Sequence, residues 1–150
     1  MKKKIVLVFL FCMGSLVILF ADDLNFIGWS TWGGLRTTVQ GNRVTLNGKI
    51  ATAGMFADGM NTALRGRTVT LTISNAGDSV FSNSRMIKIT VNKEDRLICP
   101  DNVTTLIERE YVPSGYNVIT FPLPADFDGK LQFVFYEAEL KNLQITATYK

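Results

Sequence analysis

Histidine is absent from all 150 residues of this chain. That removes the commonest general base, the commonest metal ligand and the middle member of a nucleophilic triad together. Cysteine is nearly absent too, with Cys12 and Cys99 the only two. Cys12 falls in an N-terminal leader, so Cys99 is alone in the remainder of the chain and an intramolecular disulfide is excluded. Prolines number four, and no stretch reads as a proline- or serine-rich linker. No long amphipathic helix, internal repeat or low-complexity segment is found.

The leader is the first positive feature. Lys2, Lys3 and Lys4 precede an uncharged apolar run from Ile5 to Phe20, which ends at Ala21-Asp22-Asp23. This pattern predicts a secretory signal peptide over residues 1–21, with an uncleaved anchor as the alternative. The run is short for a membrane span, which needs about 20 residues, and no span is expected after cleavage. Leu10 and Phe11 ahead of Cys12 do not suit lipidation. The chain is therefore expected to be secreted, or periplasmic and attached to the cell envelope.

Three of the 16 basic residues sit in that leader, leaving as many basic residues as the 13 acidic ones. A formally neutral domain has no surplus charge with which to grip a phosphate backbone, so nucleic acid is not an expected partner. Residues 22–150 have the size of one domain.

Within that domain the period-2 pattern of half-buried strands recurs. Val44 and Leu46 alternate with Thr45 and Asn47, and Asn47-Gly48 is read as a break or bulge. Residues 51–61, rich in glycine, alanine and methionine, are read as a loop or short strand, with a turn of helix at 57–64. Val69, Leu71 and Ile73 then alternate with Thr68, Thr70 and Thr72, and Ile87, Ile89 and Val91 with Lys88, Thr90 and Asn92. These two runs are expected to pair. Further strands are read at 104–111, 116–123, 131–136 and 143–149, around turns at Pro113-Ser114-Gly115 and Asp128-Gly129. Eight or more strands predict an all-β antiparallel sandwich of jelly-roll type.

Catalytic patterns fare poorly. Gly28-Trp29-Ser30-Thr31-Trp32-Gly33 is one residue too long for a nucleophile elbow. Glycoside hydrolysis needs two acids flanking a bond, and Glu137 with Glu139, and Glu108 with Glu110, share a strand face at i, i+2; acids at strand ends in water have the same spacing. Asp126-Phe127-Asp128-Gly129 lacks the remaining ligands of a calcium loop and reads as a hairpin turn. Asn102-Val103-Thr104 matches a glycosylation sequon, and Cys99 beside Pro100 reads as a small buried hydrophobe. The chain is expected not to be an enzyme. No cofactor is expected, and a structural calcium ion is the one metal left open.

What remains is aromatic rings and amides on a rigid β scaffold. Flat rings stack on the apolar faces of sugars while amides and guanidinium groups meet the hydroxyls. Both tryptophans fall within four residues of each other, in Phe26-Ile27-Gly28-Trp29-Ser30-Thr31-Trp32-Gly33-Gly34. Trp29 alternates with Ile27 and is expected in the core, whereas Trp32 enters a glycine loop and is expected to face a ligand. The candidate ligand-binding set is Trp32, Tyr116 and Tyr136, with Arg36, Asn92 and Gln132 as hydrogen-bonding partners; ordinary packing is the alternative for each ring.

Three stretches, Asn25-Phe26-Ile27-Gly28-Trp29-Ser30-Thr31-Trp32-Gly33-Gly34, Gly41-Asn42-Arg43-Val44-Thr45-Leu46-Asn47-Gly48 and Leu64-Arg65-Gly66-Arg67-Thr68-Val69-Thr70-Leu71-Thr72-Ile73, resemble the opening of galactose-binding-like jelly-roll carbohydrate-binding modules. Leu140-Lys141-Asn142-Leu143-Gln144-Ile145-Thr146-Ala147 is similar to their final strand. The resemblance implies a ligand held on a concave sheet face or at the loops of one end. Such modules are commonly joined to a catalytic domain, whereas a free-standing one is expected here. The expected function is non-catalytic carbohydrate binding, and the alternative is an envelope protein that contacts another protein or self-assembles.

Overall fold

The computed structural model describes residues 21–59, 61–75, 77–81, 85–92, 103–110 and 117–150; for 81, 85–87, 90–92 and 103–110 the description is of the backbone alone. Among these residues the chain forms ten strands and one 3₁₀ turn. They are β1 (Asp22–Asp23), β2 (Trp29–Trp32), β3 (Arg36–Gln40), β4 (Arg43–Ala57), the turn at Thr62–Leu64, β5 (Thr68–Ser74), β6 (Val80–Phe81), β7 (Arg85–Asn92), β8 (Val103–Glu110), β9 (Asn117–Pro122) and β10 (Lys130–Tyr149). The fold is an all-β antiparallel sandwich.

Two long strands, β4 and β10, run through both leaves of the sandwich. Their distal parts, 52–57 of β4 and 130–136 of β10, pair with each other and extend to β2 on one side and β7 on the other, with β8 beyond β7. Their remaining parts, 43–46 of β4 and 143–149 of β10, pair again and carry β3, β5 and β9. The first leaf is thus ordered β2-β4-β10-β7-β8 and the second β3-β4-β10-β5-β9.

The switch between leaves has a specific construction. Register between β4 and β10 shifts across Leu140 and Leu143, so Lys141 and Asn142 lack ladder partners. Their amides are satisfied by side chains instead: Lys141 N–H donates to Ser79 Oγ at 3.0 Å and Asn142 N–H to Asn47 Oδ1 at 2.9 Å. Asn142 takes φ 51°, a local twist typical of bulges; Glu137, with φ 37°, lies where the register is unbroken. Asn47-Gly48 therefore does not end its strand. Asn47 caps a bulge on the neighbouring strand while β4 continues as far as Ala57.

Three other expectations are corrected. The glycine-rich segment read as a loop or short strand is the distal half of β4, because its alternating Ala53, Met55 and Ala57 are buried. The runs 131–136 and 143–149 are one bulged strand rather than two. Finally, β5 and β7 do not pair with each other; each pairs with β10, in a different leaf. The Pro113-Ser114-Gly115 turn, Cys99, the sequon at Asn102 and the leader residues 1–20 lie outside the described residues.

The core lies between the leaves. Met55, Phe133 and Ile89 form one inward row of the first leaf, and Val44, Ile145 and Ile73 one row of the second; all are at most 1% exposed. Trp29 packs against this core from the edge, its ring 5.0 Å from Phe26 in an edge-on contact and 5.2 Å from Phe133. The outward face of the second leaf carries Thr68, Thr70 and Thr72 beside Thr146, Thr148 and Thr120, with Thr70 and Thr120 hydroxyls 3.3 Å apart. Threonine there satisfies strand propensity while presenting hydroxyls to water.

Candidate functional site

Residues paired across an antiparallel ladder project to the same face, so register alone assembles the outward face of the first leaf. One row runs Trp32, Gly54, Val134 and Lys88 across β2, β4, β10 and β7. The next runs Ser30, Phe56, Gln132 and Thr90 along the same strands. Thr52 pairs with Tyr136 on the other side of the first row, and Asn92 with Lys130 beyond the second. Strands lie about 4.8 Å apart, so each row crosses four strands in roughly 15 Å.

The floor of this face is closed. Val134 is 8% exposed, Gln132 is 6% exposed, and Gly54 is buried between them and Trp32. Trp32, Phe56, Tyr136, Lys88 and Lys130 stand half-buried around that floor. Gln132, Lys88 and Lys130 each already make an interaction within the protein. The arrangement is three rings beside an amide and ammonium groups on a rigid sheet. It can stack an apolar ligand face and hydrogen-bond its rim.

The Trp32 ring lies over β4. Its indole Nε1 is buried and has no hydrogen-bond partner, a state that costs about 1–3 kcal/mol. The N–H is thus turned into the sheet, away from any incoming ligand. Trp29 and Trp32 project to opposite faces, since Trp29 pairs with Ala57 and Trp32 with Gly54. Behind them Gly33 adopts φ +72° in contact with the Thr52 carbonyl, and Gly34 adopts φ +81°. The chain thereby turns tightly from β2 in the first leaf to β3 in the second.

Of the six residues singled out from sequence, the structure brings Trp32, Gln132 and Tyr136 onto one face, and register places Asn92 on the same strands. Arg36 stands apart: it is exposed on β3, opposite Asn47, in the second leaf. Tyr116 lies outside the described residues. Phe56, Lys88 and Gly54 belong to this face without having been expected there. Strict alternation from Ala53 to Ala57 is the signal that identifies Phe56, and it is masked by the glycines around it.

The two glutamate pairs separate. Glu137 and Glu139 both border an open depression of about 470 Å³ at the switch between leaves, with Lys49 and Val80. Glu139 is ion-paired to Lys141 at 3.2 Å and lies opposite Lys49 in the ladder. Glu108 and Glu110 are on β8, where the backbone alone is described. Asp126 and Asp128 sit in the loop before β10, where Arg65 donates to the Phe127 carbonyl at 2.7 Å and approaches Asp128 at 3.5 Å. Among the described residues no three acidic or sulfur groups converge as metal ligands, and no helix is long and apolar enough to cross a membrane.

No protein-family description and no curated protein matches the sequence. Solved structures do match the fold. A variant of a family 29 carbohydrate-binding module, made to probe its ligand recognition, aligns at 14% identity over 87% of this chain and 89% of that one, with TM-score 0.51. The fold is that of a carbohydrate-binding-module-like β-sandwich. The K3 cleaved adhesin domain of Lys-gingipain from Porphyromonas gingivalis w83 aligns at 12% identity over 87% and 95%, with TM-score 0.53. A carbohydrate-binding module of the β-sandwich superfamily aligns at 18% identity and TM-score 0.48 over 82% of this chain; this chain spans only 58% of that one.

Proposed function

We propose that this protein is a secreted, non-catalytic carbohydrate-binding protein that holds a glycan on the outward face of the first leaf. Trp32 supplies the stacking platform, with Phe56 and Tyr136 beside it, and Gln132 meets hydroxyls at the floor. The leader directs export to the cell envelope or beyond, and the binding requires no cofactor. The observation that carries the reading is the convergence of half-buried rings and the buried Gln132 on one closed sheet face, within a fold shared with carbohydrate-binding modules.

Contact with an envelope protein is the second reading. The large apolar side chains exposed among the described residues are Ile27, Val80 and Val118. They sit on a loop, on β6 and on β9, whereas a protein partner favours one contiguous apolar patch. The aromatic face is the better supported site.

A glycan array probed with the chain after removal of residues 1–21, in parallel with calcium and with chelator, tests the proposal. Binding to a defined set of glycans in both conditions is expected. Absence of binding to every glycan would remove the proposal, and binding only with calcium would remove its cofactor-free form.

A further inference from the structure

Glycine inside a central strand is normally unfavourable, because it adds backbone entropy to the unfolded chain and packs nothing. Five glycines are explained by backbone conformation: Gly28, Gly33, Gly34, Gly41 and Gly66 have φ between +61° and +82°. Gly54 does not share that reason, since it has no positive φ and lies in a regular part of β4 between β2 and β10. Space is what requires it. A Cβ built there would stand 2.8 Å from Trp32 Nε1 and 2.9 Å from its Cε2, and 2.6 Å from the Phe133 carbonyl oxygen.

We infer that Gly54 is the positioning residue of the aromatic face: its bare Cα is the seat on which the Trp32 indole lies, N–H edge inward, so that the site reads its ligand through the ring and not through the indole hydrogen bond. The inference rests on the glycan-binding reading for its ligand, but the seat itself is a property of the free protein. The geometry accounts for two otherwise unconnected facts, a glycine in a strand interior and a buried indole N–H with no partner. Each is unfavourable alone. Together they fix one orientation of the platform before ligand arrives, which lowers the ordering cost of binding.

Two consequences separate this role from general packing. The Trp32 indole hydrogen is shielded without being bonded, so it exchanges slowly with solvent although its ring is half-buried. Filling the seat displaces the Trp32 indole as well as pressing on the Phe133 carbonyl, and its effect on a ligand that stacks on the indole runs through Trp32, so Gly54→Ala and Trp32→Ala are non-additive in affinity.

The test uses chain labelled with ¹⁵N at tryptophan, in which the Trp29 indole, on the opposite face, reports any disturbance passed through Phe133. In the wild type the Trp32 indole hydrogen is expected to exchange about a hundredfold more slowly than in free tryptophan. In Gly54→Ala that protection is lost, and affinity for whichever array glycan the wild type binds falls roughly tenfold. The double variant Gly54→Ala/Trp32→Ala binds no more weakly than Trp32→Ala. Exchange of the wild-type Trp32 indole at the free rate overturns the inference, whether or not Gly54→Ala folds. Further loss of affinity in the double variant, beyond Trp32→Ala, also overturns it. A wild type that keeps slow indole exchange yet binds no glycan retains the seat and overturns the glycan reading instead.

Discussion

At the scale of single residues, the two tryptophans separate by what lies beneath each ring. Trp29 has Phe26 and Phe133 beneath it at 5.0 and 5.2 Å, so it belongs to the core edge. Trp29→Ala should cost about 3 kcal/mol of folding stability, read as a lowered denaturant midpoint; a change under about 1 kcal/mol would show that the ring does not support the core. Glu137 makes a different demand. Its φ of 37° lies where a β-branched side chain clashes with its own backbone. Glu137→Val should therefore lose about 1–2 kcal/mol and Glu137→Gly should lose less, and the reverse order in urea melts would contradict this positive-φ conformation.

At the scale of elements, the sandwich depends on how β4 and β10 pass between leaves. Asn47 Oδ1 holds the unpaired amide of Asn142 at 2.9 Å, so Asn47→Ala should cost about 1 kcal/mol, and Asn47→Asp, which keeps an acceptor oxygen, should cost less. Equal losses in the two variants would mean that this hydrogen bond does not hold the switch. Strand existence was legible in the sequence because Val69, Leu71 and Ile73 alternate with threonines and need no tertiary information to declare a face. Strand length was not. Gly48 and Gly54 read as interruptions, yet β4 continues through both: a Cβ on the first would stand 3.1 Å from the Gly34 carbonyl oxygen and the second accommodates an indole. Pairing was legible only in part, since β5 and β7 have the same pattern and nothing local assigns them to different leaves.

The same limits apply to the face. Composition singled out Trp32, Gln132 and Tyr136, which the register of β2, β4 and β10 brings together. Arg36 is close to Trp32 in sequence but falls in the other leaf, because the Gly33-Gly34 turn carries the chain across between them. Phe56 was hidden by the same glycines that hid its strand.

At the scale of the whole molecule, the proposed recognition by a formally neutral sandwich with no histidine rests on shape, ring faces and amides. Its centre is a sheet face whose floor is sealed by Val134 and Gln132, while three half-buried rings remain available for stacking. Removing the platform should therefore abolish recognition without unfolding the protein. The most direct measurement is affinity electrophoresis of the wild type and Trp32→Ala through gels containing soluble polysaccharides, with thermal melts of both proteins. The expected result is retardation of the wild type by at least one polysaccharide, its loss in Trp32→Ala by a factor of about ten or more, and melting temperatures within about 3 °C of each other. Equal retardation of the two proteins, or none of the wild type by any polysaccharide, would contradict the assignment of this face to glycan.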